Sequence, residues 1–175
     1  SALQSLRLSK NRIALKSAFH HFKLNRLVWG TLPTNRSFLI IDVDGVMTTG
    51  HFLYSQDGKE YKVFGSHDND GLKLLNDRVN LQFITADKRG FPITKKRIVD
   101  DMGFELELVS EHDRFEYIRK KYGLQNLIYM GDGYHDAKIL KASMFGIAPK
   151  NARIEAKDSA DFVTESHSGE GAVLD

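Results

Sequence analysis

The stretch Phe38-Leu39-Ile40-Ile41-Asp42-Val43-Asp44-Gly45-Val46-Met47-Thr48-Thr49-Gly50 decides how the rest of the chain is read. Residues 38–43 form a short apolar, β-branched run, the pattern of a buried strand. The run ends in two aspartates, Asp42 and Asp44, followed by a glycine that lets the chain turn. Beyond it, short apolar runs alternate with helical patterns. Segments 52–55 and 60–64 flank Gln56-Asp57-Gly58, a hairpin signal. Helices are expected over 70–78, 94–102, 114–122, 135–142 and 151–157, and strands over 81–84, 105–109, 127–130, 145–147 and 162–164. Single helices between successive strands imply right-handed crossovers, hence an α/β doubly wound parallel sheet with a β-hairpin insertion.

Composition fits that reading. The chain has 175 residues, 41% hydrophobic and 27% charged, enough for one domain with its own core plus an appendage. No apolar run approaches the ~18 residues of a membrane span. With no Cys, a disulfide framework, a thiolate metal site and a Cys nucleophile are excluded, and a reducing, cytoplasmic location is expected.

The net charge of +2 hides an asymmetry: residues 1–36 carry seven cations and no acid, leaving 18 cations against 23 acids in the remainder. This change of sign divides the chain into a basic helical arm, 1–36, and an acidic body, 37–175. In the arm, Ile13, Ala14, Ala18 and Phe22 follow helical spacing, with Gly30 and Pro33 ending the helix. Its apolar side suits packing on the body or on a sister subunit. An acid-free amphipathic segment also resembles a transit peptide. Nucleic-acid binding is not expected, because no recognition motif accompanies the charge.

The chemistry concentrates at strand ends. Asp42 and Asp44 follow the first body strand; Asp132 follows the strand over 127–130, with Asp136 one helical turn on. In an open parallel sheet, ligands bind beyond the carboxyl ends of the strands at the topological switch point. Four carboxylates meeting there repel one another and call for a cation. Oxygen ligands favour Mg²⁺, and the absence of Cys and of a His-x-x-x-His pair disfavours zinc. Thr85 follows another strand directly, and Arg114 opens the helix after the next one. Carboxylates, metal, hydroxyl and cation are together the components of phosphoryl transfer. Taken singly, each has a plainer use: an Asp or Thr caps a helix or forms a turn, and an Arg at a helix start is solvated.

As an ordered set, Asp42-Val43-Asp44-Gly45-Val46-Met47-Thr48-Thr49-Gly50, Thr85 and Gly131-Asp132-Gly133-Tyr134-His135-Asp136 resemble the haloacid dehalogenase superfamily. More closely, they resemble its capless branch containing 3-deoxy-D-manno-octulosonate 8-phosphate phosphatase. The likeness runs through the hairpin, 64–75 and the tail Ser168-Gly169-Glu170-Gly171-Ala172-Val173, and leaves out the arm. It implies a Rossmannoid fold without a cap domain, and a phosphatase acting on a small phosphorylated sugar acid. The substrate would be of the 3-deoxy-D-manno-octulosonate 8-phosphate or sialic-acid 9-phosphate type. It implies Asp42 as nucleophile, Asp44 as general acid and base, and Thr85 as phosphoryl ligand. Mg²⁺ would be held by Asp42, Asp132 and the Asp44 carbonyl, with Asp136 in support. It also implies a homotetramer in which hairpin and tail help enclose a neighbour's site.

The chain departs from the family pattern in three places. The usual third-motif Lys is missing, making Arg114 the nearest substitute and Lys88 the second candidate. The usual Arg-Asp-Gly after the hairpin becomes His67-Asp68-Asn69, so an imidazole stands where a fixed cation would meet the substrate carboxylate. Ala86-Asp87-Lys88-Arg89 replaces a Gly-Arg pair. On this reading the substrate is met by Gly45, Thr85, Ala86, Lys88 and His67. Two other classes compete. One is a non-catalytic oligomerisation module like the appended domain of acylneuraminate cytidylyltransferases. The other is a phospho-accepting receiver, which the order of the acidic residues along the chain disfavours.

Overall fold

A computed structural model describes residues 37–76 and 78–175. The expected helix of the basic arm lies outside the described residues. Five strands form the centre: β1 (Phe38–Asp42), β4 (Asn80–Thr85), β5 (Leu106–Leu108), β6 (Leu127–Met130) and β7 (Phe145–Ala148), with the short β8 (Phe162–Val163) at one edge. They lie in the order β5-β4-β1-β6-β7-β8, all parallel. The helices are α1 (His67–Leu75), α2 (Phe91–Lys95, continued by a wider turn over Lys96–Asp101), α3 (Arg114–Lys121), α4 (Asp136–Ala142) and α5 (Ile154–Ser159). A separate two-stranded sheet, β2 (Thr48–Ser55) with β3 (Gly58–Phe64), is the hairpin insertion. The sheet is the α/β doubly wound arrangement expected. Among the described residues no helix is long and apolar enough to cross a membrane.

Strand periodicity divides the core. Leu39 and Ile41 of β1 and Met130 of β6 pack on one face with Val43, Phe83, Leu72 and Ile98. Ile40 of β1 and Tyr129 of β6 pack on the other with Ile84, Ile118 and Ile139. Successive side chains of a strand point to opposite faces, so a strand covered on both sides must be apolar throughout, as 38–41 is.

After β4 and β5 the chain crosses back to add β6 on the far side of β1, so the switch point lies at β1 and β6. Ile41 pairs with Met130 and Asp42 with Ile84, so these strands end at one level. Asp42, Thr85 and Asp132 therefore emerge at the same edge.

Several bounds differ from expectation. The first helix spans His67–Leu75 rather than 70–78, because its N-terminal turn is held from outside. Buried Asp68 accepts the backbone N–H groups of Gly171 (3.2 Å) and Val173 (2.9 Å). The helix expected at 94 begins at Phe91, where Pro92 occupies a first-turn position that needs no N–H. The expected helix 151–157 forms later, over Ile154–Ser159. The hairpin strands are longer than the apolar signal, since β2 starts at Thr48 and β3 at Gly58.

Candidate active site

The turn Val43–Met47 follows Asp42, the last residue of β1, and carries Asp44. It needs Gly45 twice over. Its φ of 88° is open to glycine, and a Cβ there would lie 2.2 Å from the Asp132 carboxylate. Thr48 Oγ1 closes the turn by accepting the N–H groups of Gly45 (3.1 Å) and Gly50 (3.2 Å). A Cβ on Gly131 would meet the Asp136 carboxyl carbon at 2.6 Å. The two glycines thus set how closely the acids approach.

Asp42, Asp132 and Asp136 each offer an oxygen, and these atoms lie within 4.8 Å of one another. Arg114, the first residue of α3, is buried behind them. One guanidinium nitrogen lies 3.0 Å from Asp42 Oδ2 and 3.1 Å from Asp136 Oδ1. Asp136 is further fixed by the Tyr129 hydroxyl (2.6 Å) and the Gly133 N–H (2.8 Å). Asp44 is held differently. Thr85 Oγ1 donates to its Oδ2 (2.8 Å), and the Lys62 ammonium lies 2.6 Å from its Oδ1. Lys62 also meets Asp87 (2.8 Å) and donates to Thr94 (2.8 Å), while Lys59 pairs with Asp87 at 2.5 Å.

Electrostatics follow from this layout. Burial, and after it the neighbouring Asp136 and Asp44, pushes Asp132 from 3.8 up to about 7. Burial pushes Asp42 well above the usual carboxylate range; Arg114 opposes it, and the other aspartates add to it. Asp87 goes the other way. Burial would raise it, but its hydrogen bonds to Lys59 and Lys62 outweigh that and bring it to about 2. Five carboxyl groups (Asp42, Asp44, Asp87, Asp132, Asp136) face three cations (Lys59, Lys62, Arg114), a formal excess of two negative charges were all five ionised. Asp132 has no cationic partner among those pairs. That remainder, on hard oxygen donors beside an acid that resists ionising, fits one divalent cation.

A cavity of about 610 Å³ opens over this floor, lined on one side by the hairpin and on the other by the loops after β5 and β6. The expected residues Asp42, Asp44, Gly45, Ala86, Arg114, Asp132 and Asp136 all line it, whereas Thr85 is fully buried beside it and hydrogen-bonds Asp44. Lys88 and His67, also expected at the substrate, do not line it. The backbone turns tightly at Lys88 N–H to Ala86 O (2.9 Å) and leaves the Lys88 side chain exposed. His67 is exposed at the start of α1, where its Cβ lies beside Gly171 of the tail.

Sequence reasoning missed Lys59 and Lys62. A regular strand would put residues three apart on opposite faces. Here Leu53 pairs with Tyr61 and Tyr54 with Lys59, so Glu60 is an extra, bulged residue that brings both lysines to Asp87. The lining residues Phe52, Ser110, Glu111, His112, Tyr134 and His135 were also missed. Tyr134 and His135 sit inside the Asp132-to-Asp136 motif, which was the one available signal.

Comparison with known proteins agrees with this geometry. A family model described as haloacid dehalogenase-like hydrolase matches residues 114–175. The 3-deoxy-D-manno-octulosonate 8-phosphate phosphatase KdsC of Haemophilus influenzae is 33% identical over 144 residues, covering 79% of this chain and 78% of the relative. The cobalt-bound structure of the deoxy-D-mannose-octulosonate 8-phosphate phosphatase from Haemophilus influenzae superposes with a TM-score of 0.69 at 29% identity, covering 80% of this chain and 84% of that one. The Moraxella catarrhalis 3-deoxy-D-manno-octulosonate 8-phosphate phosphatase, in complex with magnesium ion, phosphate ion and KDO, gives 0.67 at 26% identity, covering 79% and 81%.

Proposed function

From the premise that the chain belongs to the KdsC-like branch of the haloacid dehalogenase-like hydrolases, and so is a phosphoric monoester hydrolase, we propose that it acts on a small sugar-acid phosphate. The substrate is of the 3-deoxy-D-manno-octulosonate 8-phosphate or sialic-acid 9-phosphate type, and the metal is Mg²⁺. The observation that carries this reading is the meeting of Asp42, Asp132 and Asp136 around one point, with Arg114 bridging Asp42 and Asp136 from behind.

Asp42 attacks phosphorus through one carboxylate oxygen. The ester P–O bond breaks, and the leaving oxygen takes a proton from Asp44, giving free alcohol and an aspartyl-phosphate on Asp42. Asp44, now ionised, accepts a proton from water as that water attacks phosphorus. Inorganic phosphate departs, and Asp42 and the protonated Asp44 are restored. Dividing the reaction in this way suits phosphate monoesters, whose uncatalysed hydrolysis is exceptionally slow.

Arg114, 3.0 Å from Asp42 Oδ2, fixes the orientation of the nucleophile and stabilises its charge. One of its guanidinium nitrogens serves both carboxylates. Thr85 ties Asp44 to the end of β4 and places its hydroxyl beside the transferring group. The metal would be held by Asp42, Asp132 and the Asp44 carbonyl, with Asp136 orienting Arg114 and the loop. Bound there, it supplies the positive charge that lets an anionic nucleophile approach an anionic phosphate. The hairpin exposes Leu53, Tyr54, Tyr61 and Val63, apolar area that suits packing against further copies in a homotetramer.

Asp42→Asn tests the reading. The variant is expected to keep its circular-dichroism spectrum and to lose Mg²⁺-dependent phosphate release by at least about a thousandfold. Unchanged release would refute the nucleophile assignment.

A further inference from the structure

The floor uses only part of the cavity. Its remaining volume lies between two walls of different chemistry. On the hairpin side, the Lys59 ammonium sits 3.5 Å from the centre of the Phe52 ring and pairs with Asp87, so its charge is already answered. Phe52 presents an apolar face beside it. On the opposite side stand Glu111 and His112 from the loop after β5, and Tyr134 and His135 from the loop after β6. His135 Nε2 lies 3.4 Å from Glu111 Oε2. The His112 and His135 rings meet edge to face at 5.4 Å, and the Tyr134 and His135 rings at 5.5 Å.

We propose that Glu111, His112, Tyr134 and His135 form the leaving-group subsite and select a polyhydroxylated leaving group by its hydroxyls rather than by a carboxylate. The proposal rests on the phosphatase reading of the floor. Position supports it. Glu111 and His112 precede Arg114 by three and two residues, and Tyr134 and His135 lie between Asp132 and Asp136. A group attached to phosphorus at Asp42 therefore emerges beside this wall.

Chemistry supports it as well. Glu111 accepts hydrogen bonds, the Tyr134 hydroxyl donates and accepts, and each imidazole does one at each nitrogen. Interleaved donors and acceptors match hydroxyl groups, which are both at once. A carboxylate only accepts, and it would meet the Glu111 charge. The cations that could receive one are engaged elsewhere: Lys59 and Lys62 by Asp87 and Asp44, and Arg114 by Asp42 and Asp136. His67 and Lys88 are off the cavity lining. Phe52, across the cavity, offers an aromatic face to the C–H side of a polyol.

The test uses the full chain with Mg²⁺ and three substrates. Sorbitol 6-phosphate and 6-phosphogluconate share a hydroxylated chain and differ in the carboxylate; p-nitrophenyl phosphate carries no hydroxyl on its leaving group. Glu111 and His112 are exposed, so Glu111→Ala and His112→Ala are expected to fold. In each variant kcat/KM for both sugar phosphates should fall about tenfold or more relative to p-nitrophenyl phosphate, through KM, as expected for losing a hydrogen bond at a binding wall. An unaltered ratio overturns the proposal. So does a loss confined to 6-phosphogluconate, which would make the wall a carboxylate site. A wild-type KM for both sugar phosphates above that for p-nitrophenyl phosphate also overturns it while leaving the phosphatase reading intact. Mg²⁺-dependent release from none of the three would overturn both.

Discussion

Asp42 and Asp44, on either side of Val43, are held by different means. Asp42 is served from inside the main sheet, by Arg114 at the start of α3, which it shares with Asp136. Asp44, two residues on, is served from outside that sheet, by Lys62 of the hairpin, which it shares with Asp87. The first arrangement depends on packing that the doubly wound fold supplies. The second depends on an insertion with a bulged strand. Asp42 is thus anchored by the scaffold alone, and Asp44 by Thr85 of the scaffold together with an appendage whose outer face is exposed.

The contrast can be broken most sharply at Arg114. Arg114→Met leaves Asp42 and Asp136 buried without their shared cation, so urea denaturation should report a loss of about 3–5 kcal/mol. Arg114→Lys should recover part of it as a point charge. Lys62→Met should cost less, about 2 kcal/mol in the same measurement, since Asp87 keeps Lys59 and Asp44 keeps Thr85. Equal losses at the two positions would erase the distinction between scaffold and appendage.

Gly45→Ala touches neither cation but drives a methyl group into the Asp132 carboxylate. Mg²⁺ affinity, measured by calorimetry, should fall about tenfold or more while the two ion-pair networks persist. A subtler effect appears with pH. Asp132 titrates at 3.8 when unfolded and at about 7 in the folded chain, with Asp42 shifted in the same direction. Below the lower value both states are protonated and the shift has no effect. As pH rises between the two, the unfolded state gives up its proton while the folded state keeps it, so stability declines until about 7 and then levels. Metal-free protein should therefore melt a few degrees lower at pH 8 than at pH 5, and added Mg²⁺ should raise the melting temperature more at pH 8. A metal-free melting temperature that rises over this interval would show that other groups dominate.

Much of the molecule was legible beforehand. The run 38–43 announced a strand covered on both faces, and the alternation after it announced the sheet, because burial on one or two faces writes itself into the spacing of apolar residues. Asp42, Asp44, Asp132 and Asp136 were visible because glycines beside strand ends mark where a backbone must turn. Arg114 was visible only as the first residue of a helix after the right strand. His67 and Lys88, expected at the substrate, lie off this cavity for a different reason. Each stood at a familiar distance from a motif, but an exposed helix start and an outward-turned loop took their side chains away from the cavity.

What sequence alone determined is therefore the periodic part: an α/β doubly wound sheet, a hairpin, and acids gathered at strand ends. Local propensity and the one- or two-sided burial of an element depend on near neighbours in the chain. Only the tertiary structure decided which cation answers which carboxylate. Lys62 and Asp87 are 25 residues apart, Arg114 and Asp42 are 72 apart, and one bulged residue reverses which face Lys59 occupies. Coulombic and hydrogen-bond partners are chosen by distance in space, within a few ångströms, and no spacing along the chain encodes that distance until the chain has folded.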